Sequence, residues 1–465
     1  MLLMEISSST SVSLFWIVLA TLVAPAIGHA TRRVLPEVVL LLGLGVLIGP
    51  SGLQLAGATN LEMLKQLGLG LLFLSAGYEI DPNDLVGRRT RSAALTWLVC
   101  LVIGFGVGML IVPGHRWLNA AALAIALGST ALGTLMPILR EQGVLDRPLG
   151  RAFLAQGTVG ELGPVAAMAI LLSSNSPWVG ALVLIGFGVL TAGLALGTRH
   201  RMRRAAHRVN DQLRHLSEAE RQDVYQRVID WFIRTGEHRL TQGTMRTIML
   251  LLTGLMALAA LFDVDVALGA FMAGLCLRLI VGDHTGPLEE RISVLGNSFF
   301  IPVFFVMSGM GIALDAVRSS PLTVVAAFFA VLVTRGLPVW LAERFTSTGS
   351  GVAAGAERAK LALYSSAGLP IIVAVTEVAV SQELMPASLG SCLVAAGALT
   401  VLVFPLAARG LDRAARRTRS GRTGRALPGP GAAGTTERPD AGAAVGRPAG
   451  WGRAAAAGGG RRAPS

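Results

Sequence analysis

Two stretches decide how this chain is read: ALGSTALGTLMPIL (Ala126–Leu139) and LYSSAGLPIIVAVTE (Leu363–Glu377). Each is an apolar segment of helical length broken near its middle, the first by Gly128, Gly133 and Pro137, the second by Gly368, Leu369 and Pro370. Proline lacks an N–H donor and its ring collides with the preceding turn, so either stretch can unwind. Unwound backbone is tolerated inside a hydrocarbon layer only where it lines a cavity, and its freed carbonyls can then ligate a cation.

That reading requires a membrane around both stretches, and the composition supplies one. Of the 465 residues, 52% are hydrophobic and only 15% charged, with a mean hydropathy of +0.61. A soluble domain carries about one quarter charged residues. Apolar runs recur from Ser11 almost to Arg409, many long enough to cross ~30 Å of hydrocarbon. About thirteen spans are expected, near 11–29, 34–50, 62–80, 92–112, 118–139, 152–172, 178–198, 245–262, 264–281, 292–314, 321–345, 359–380 and 386–408.

The formal charge of +12 does not point to nucleic acid. Nearly all of it is arginine, since Lys65 and Lys360 are the only lysines, and the arginines cluster beside spans. Basic residues there hold loops in the cytoplasm and face anionic headgroups. With the N-terminus outside, the inside loops hold Arg32 and Arg33, Arg88 to Arg91, and Arg140, Arg147 and Arg151, and the C-terminus is cytoplasmic. The expected location is the inner or plasma membrane.

Four regions follow: a first membrane half with a linking span (1–198), a basic cytoplasmic loop (199–243), a second membrane half (244–409) and a disordered tail (410–465). Within the loop, Ser217–Arg234 has the face of an amphipathic helix, with Val224, Val228, Trp231 and Phe232 at helical spacing. The tail is rich in Gly, Ala, Pro and Arg. Cys100, Cys276 and Cys392 all fall within spans, and neither a disulfide framework nor a metal centre is implied.

Six spans on either side of a linking span place the second half upside down relative to the first. Local likenesses agree: Leu72–Asp81 (LFLSAGYEID) echoes Phe304–Asp315 (FFVMSGMGIALD), and Leu41–Pro50 echoes Leu268–Gly282. Inverted repeats of this kind belong to transporters, with the site at the midplane where they meet.

Two charges lie deep in the apolar segments. Glu161, in GTVGELGPVAAM, sits near mid-membrane, where a carboxylate costs on the order of 2.5–3.5 kcal/mol. Arg335, in TRGLPVW, is similarly deep and cannot shed its charge. It needs a carboxylate or helix-end carbonyls as partner; Glu79 is the first candidate and Glu161 the second.

Taken in order, LPEVVLLLGLGVLIGPSGL (Leu35–Leu53), LLFLSAGYEIDP (Leu71–Pro82), ALGSTALGTLMPILREQGVL (Ala126–Leu145), LGAFMAGL (Leu268–Leu275) and FFIPVFFVMSGMGIALD (Phe299–Asp315) resemble the monovalent cation–proton antiporter superfamily, in its Kef-like branch. The resemblance implies an all-α polytopic fold with crossed, broken fifth and twelfth helices, in a core that moves against a dimerising scaffold. It also implies an acidic pair in the sixth span, which here becomes Gly160 and Glu161, and it matches the basic residue of the eleventh span with Arg335. Kef-type proteins usually carry a nucleotide-binding domain at the C-terminus, for which this tail is too short and too polar, so no cofactor is expected.

The expected activity is exchange of Na⁺ or K⁺ for protons by competition at Glu161, one for one and electroneutral, with Ser129, Thr130 and freed carbonyls as further hard oxygen ligands. A channel would need rings of carbonyls or charges, and an intramembrane enzyme a paired nucleophile and base; neither pattern is present. The alternative is a sodium-coupled symporter of a small organic solute on a related inverted-repeat fold.

Overall fold

The computed structural model describes residues 10–31, 35–57, 60–80, 87–111, 117–141, 143–145, 147–171, 177–212, 243–281 and 286–423. Every regular element among them is helical. In chain order these are α1 (Thr10–Ala30), α2 (Glu37–Ile48), α3 (Glu62–Glu79), α4 (Arg88–Ile111), α5 (Trp117–Leu127), α6 (Leu132–Glu141), α7 (Pro148–Leu171) and α8 (Pro177–Gln212). There follow α9 (Gly243–Leu261), α10 (Val266–Val281), α11 (Gly286–Leu295), α12 (Ile301–Met310), α13 (Leu314–Ser319), α14 (Pro321–Val331), α15 (Leu337–Phe345), α16 (Gly355–Ser365), α17 (Leu369–Ser381) and α18 (Ala387–Thr423). The expected loop helix Ser217–Arg234 and the tail from residue 424 on lie outside the described residues, while the first part of the tail, expected to be disordered from residue 410, continues α18 as helix to Thr423.

Among the described residues, nine helices are long and apolar enough to cross a membrane, while Glu37–Ile48, Trp117–Leu127 and Val266–Val281 are apolar but shorter. Their outer faces carry bare Leu, Val, Ile and Phe side chains, such as Leu110, Leu182, Leu250 and Leu322, each more than two-thirds exposed. Such a surface fits hydrocarbon and not water.

The helices pack in two groups. α1, α2, α3, α9, α10 and α12 form one; α4, α5, α7, α15, α16 and α17 form the other, and α8 touches both α7 and α10. In the first group, α2 crosses α12 and α3 crosses α10 with no side chain between the backbones. A Cβ on Gly45 would land on the Val306 carbonyl, and one on Gly309 would land on that of Leu42. In the other crossing, a Cβ on Gly77 would meet the Phe271 carbonyl and one on Gly274 that of Leu74. The two contacts are alike, and they involve the same stretches whose sequences echo one another. Small residues allow such close approach, which replaces the missing hydrophobic drive between helices in lipid.

Two helices contain a π turn. Gly296–Phe300 joins α11 to α12, and Leu332–Gly336, which carries Arg335, joins α14 to α15. Nothing in the apolar pattern announces either one.

A side chain at the crossing points should therefore be costly. Gly309→Leu is expected to destabilise the protein by about 1–3 kcal/mol, the range for overpacking a filled core. Gly43→Ala, where a Cβ meets nothing within 4 Å, should be silent. Thermal unfolding of the two variants in detergent, side by side, checks the contrast.

Candidate functional site

The fifth and twelfth spans are interrupted as expected, but the place of the first break is different. The chain leaves helix at Gly128 and re-enters it at Leu132, so Gly133 and Pro137 lie inside the second half-helix. In the other break, Ser366, Ala367 and Gly368 separate α16 from α17, and Pro370 stands in the first turn of α17. A proline there sacrifices no hydrogen bond, because the first N–H groups of a helix have no internal acceptor.

The two interruptions satisfy each other. The Ala131 N–H donates to the Ala367 carbonyl at 2.9 Å, and the Thr130 N–H to the Gly160 carbonyl of α7 at 3.0 Å. The Thr130 hydroxyl donates to the Ser365 carbonyl at 2.5 Å. Ser129 Oγ donates to Ala126 O at 2.8 Å, and the Trp97 indole N–H holds the Gly128 carbonyl at 3.1 Å. Backbone that would be stranded in an apolar interior is thereby paired.

Glu161 sits against this crossing, 4% exposed. Its Oε1 accepts the N–H of Leu132, the first residue of α6, at 2.5 Å. The carboxylate thus caps the positive end of a half-helix, the arrangement that suits an anion. Its Oε2 is buried without a hydrogen-bond partner. Two other residues whose carbonyls take part in these bonds also have a buried side-chain oxygen without a partner, Gln156 Oε1 on α7 and Ser365 Oγ at the end of α16. Sequence reading passed over both, because neither residue type stands out in a span.

Arg335 is fully buried and does not snorkel. Its Nε donates to Thr130 Oγ1 at 2.9 Å, its Nη2 to the Gln156 carbonyl at 2.8 Å, and its Nη1 lies 3.7 Å from Cys100 Sγ. The expected ion pair with Glu79 is therefore not formed, and Glu161 does not take its place. The reason is position: Glu79 ends α3 in the other helix group, exposed, within electrostatic reach of Arg140 and Glu289. Neutral acceptors hold the guanidinium instead, and they tie it to the first interruption and to α7. Thr130 Oγ1 is committed at once to Arg335 and Ser365, while Ser129 Oγ is turned onto carbonyls.

Gly160 has a steric cause. A Cβ there would lie 2.5 Å from Thr130 Cβ and 2.9 Å from Arg335 Nη2. The space of a first acidic partner is filled by the threonine and arginine that bind the breaks together, so one carboxylate remains.

Removing Arg335 should expose how much rests on it. Arg335→Ala leaves the Gln156 carbonyl without this donor and a void in the core, a loss on the order of 3 kcal/mol. Arg335→Lys keeps the charge but not the fork that reaches both acceptors, and should fall between. Thermal unfolding of the three proteins ranks them.

A buried carboxylate at the crossing of two interrupted helices defines a secondary-transporter fold. The chain belongs to the sodium/hydrogen exchanger transmembrane family, matched over residues 17–216 and 224–410. The putative Na⁺/H⁺ antiporter YjbQ of Bacillus subtilis is 23% identical over 371 residues, which are 74% of this chain and 55% of the relative. The Na⁺/H⁺ antiporter NhaS5 of Synechocystis is 27% identical over 342 residues, 70% and 44% of the two chains. The glutathione-regulated potassium-efflux system protein KefC of Escherichia coli K12 is 25% identical over 334 residues, 70% and 48%. The chain spans about half the length of these curated relatives. In fold it is similar to the sodium proton antiporter MjNhaP1 of Methanocaldococcus jannaschii, with a TM-score of 0.53 over 84% of this chain and 94% of that one, at 17% identity. The cation–proton antiporter superfamily and its Kef-like branch, expected from the motifs, are thus the right family.

Proposed function

We propose that this protein exchanges a monovalent cation, Na⁺ or K⁺, for protons across the cell membrane by competition at Glu161. The observation that carries the proposal is Glu161 itself: a carboxylate in the membrane interior, one oxygen fixed on a half-helix N-terminus and the other without a partner. A buried group of that kind needs either a proton or a cation, and a site that alternates between them is an exchanger. Gln156 Oε1 and Ser365 Oγ would join Glu161 Oε2 as hard oxygen ligands, which suit alkali cations. Thr130 and Ser129 would serve chiefly to hold the interruptions, since their hydroxyls are already engaged.

The proposal includes the thirteen-span inverted repeat, the N-terminus outside, the C-terminus in the cytoplasm, and the homodimer that the family resemblance implies. The four-region division at residues 198, 243 and 409 belongs to the same reading. The named relatives are antiporters and an efflux system, which favours exchange over the sodium-coupled symporter.

Exchange is one cation for one proton. Glu161 is the group that loads and unloads at the crossing, because Arg335 keeps its charge through the cycle and Gly160 offers no second acid; Glu79, whose carboxylate stands beside Gly133 in the turn that binds Glu161, is the first suspect for any second proton. In proteoliposomes, Glu161→Ala should abolish proton movement driven by added Na⁺ or K⁺ while the protein stays folded, and Glu161→Asp should retain part of it. Wild-type rates in Glu161→Ala would sink the proposal.

Voltage tests the stoichiometry separately. A potential of about 100 mV is worth ~2.3 kcal/mol per net charge moved. The cation distribution reached by the wild type should be the same with and without it; a gradient that follows the voltage would require a second titrating group.

A further inference from the structure

Lys65 and Glu377 meet at 2.6 Å, Nζ to Oε1, across the boundary between the two helix groups. Lys65 lies in the first turn of α3, in the group with the glycine crossings; Glu377 lies on α17, the second half of an interrupted span. Glu377 Oε2 also accepts from Ser308 Oγ of α12 at 3.4 Å, a second tie to the same group. Asp265, which caps the start of α10 through the Ala267 N–H, is within electrostatic reach of Glu377. Both partners of the ion pair are mostly shielded, with side chains 17% and 26% exposed.

The opposite end of the assembly is built from the same register with the charges reversed. Arg140 on α6 and Glu377 on α17 each stand eight residues beyond the first residue of their half-helix, Leu132 and Leu369. Arg140 faces Glu79 at the far end of α3 and is exposed, as Glu79 is. Gly133, in the half-helix turn that binds Glu161, is exposed on this route too. One end is thus bolted between the groups, and the other leads from solvent to the turn that caps Glu161.

We propose that Lys65 and Glu377 are positioning residues that close one mouth of the transport path, holding the half-helix α17 against the glycine-crossed group while the mouth at Glu79 and Arg140 stands open. Opening the closed mouth requires the pair to part, so its strength sets how often the site faces that side. This rests on the exchange reading, and the pair is the lock for one of its two states. A group that favours one state raises the apparent affinity from the side that state exposes and lowers it from the other.

The test uses full-length protein in proteoliposomes of defined orientation. Ser308→Cys removes its own tie to Glu377 equally in every background and reports on the mouth by comparison among them, since Cys100, Cys276 and Cys392 are buried. Lys65→Ala and Glu377→Gln should each speed labelling of that thiol by a membrane-impermeant maleimide about fivefold, the scale of one partly shielded pair. The cation KM should fall by a similar factor from that side and rise from the other. The charge-swapped double variant, Lys65→Glu with Glu377→Lys, should return both readouts towards wild type. A merely structural role would not shift KM in opposite directions on the two sides. Unchanged labelling and KM in the single variants, or a swap that departs further than either single, overturns the proposal. Absence of any cation-driven proton movement in the wild type would remove the exchange reading alone, because labelling still reports whether the pair closes the mouth.

Discussion

A peptide group without a partner in an apolar medium costs several kcal/mol, and this constraint organises the whole site. Two spans give up helical hydrogen bonds in their middles. Each then supplies what the other has lost, through Ala131 to Ala367 and Thr130 to Ser365. Neither interruption is affordable alone, which is why both occur and why they cross. Glu161 is placed by the same requirement, since the carboxylate takes an N–H that α6 cannot use; the Arg335 guanidinium joins the Thr130 hydroxyl at the first break to the Gln156 carbonyl of α7.

The electrostatics follow from that division of labour. The buried arginine is held by neutral oxygen atoms, so it ties α7 to the break at Thr130 without neutralising the carboxylate next to it in the chain network. Glu161 therefore retains an unsatisfied oxygen. Had Gly160 been an acid, its side chain would have displaced Thr130 and Arg335 and the crossing would need other support. The single carboxylate and the rigid crossing are one solution to one packing problem.

Much of this was legible in the sequence. Apolar runs and arginine placement indicate a polytopic helical protein, and Gly128, Gly368 and Pro370 mark the two broken spans. The depth of Glu161 within its run identified the residue that the structure places against the start of α6. Other features were hidden for physical reasons. Arg335 bonds to a backbone carbonyl, and carbonyls are the same at every residue, so matching it with acids by type pointed to Glu79. Gly133 reads as a breaker, yet in the first turn of a helix the backbone has little to lose, and Pro137 stands inside α6 without ending it. The π turns leave no periodic mark, since one extra residue per turn barely disturbs an all-apolar stretch. The Lys65–Glu377 pair joins residues 312 positions apart, on different helix groups, and only packing brings them together.

The backbone crossings at Gly45 and Gly309 and at Gly77 and Gly274 bear on how such a machine divides its parts. Side chains can repack when helices slide, exchanging one rotamer for another, but bare backbones in contact have no such slack. If exchange proceeds as proposed above, α2, α3, α10 and α12 would move as one body. Displacement would then fall on the boundary with the other helix group, where the side chains of Lys65, Ser308 and Glu377 meet and can part.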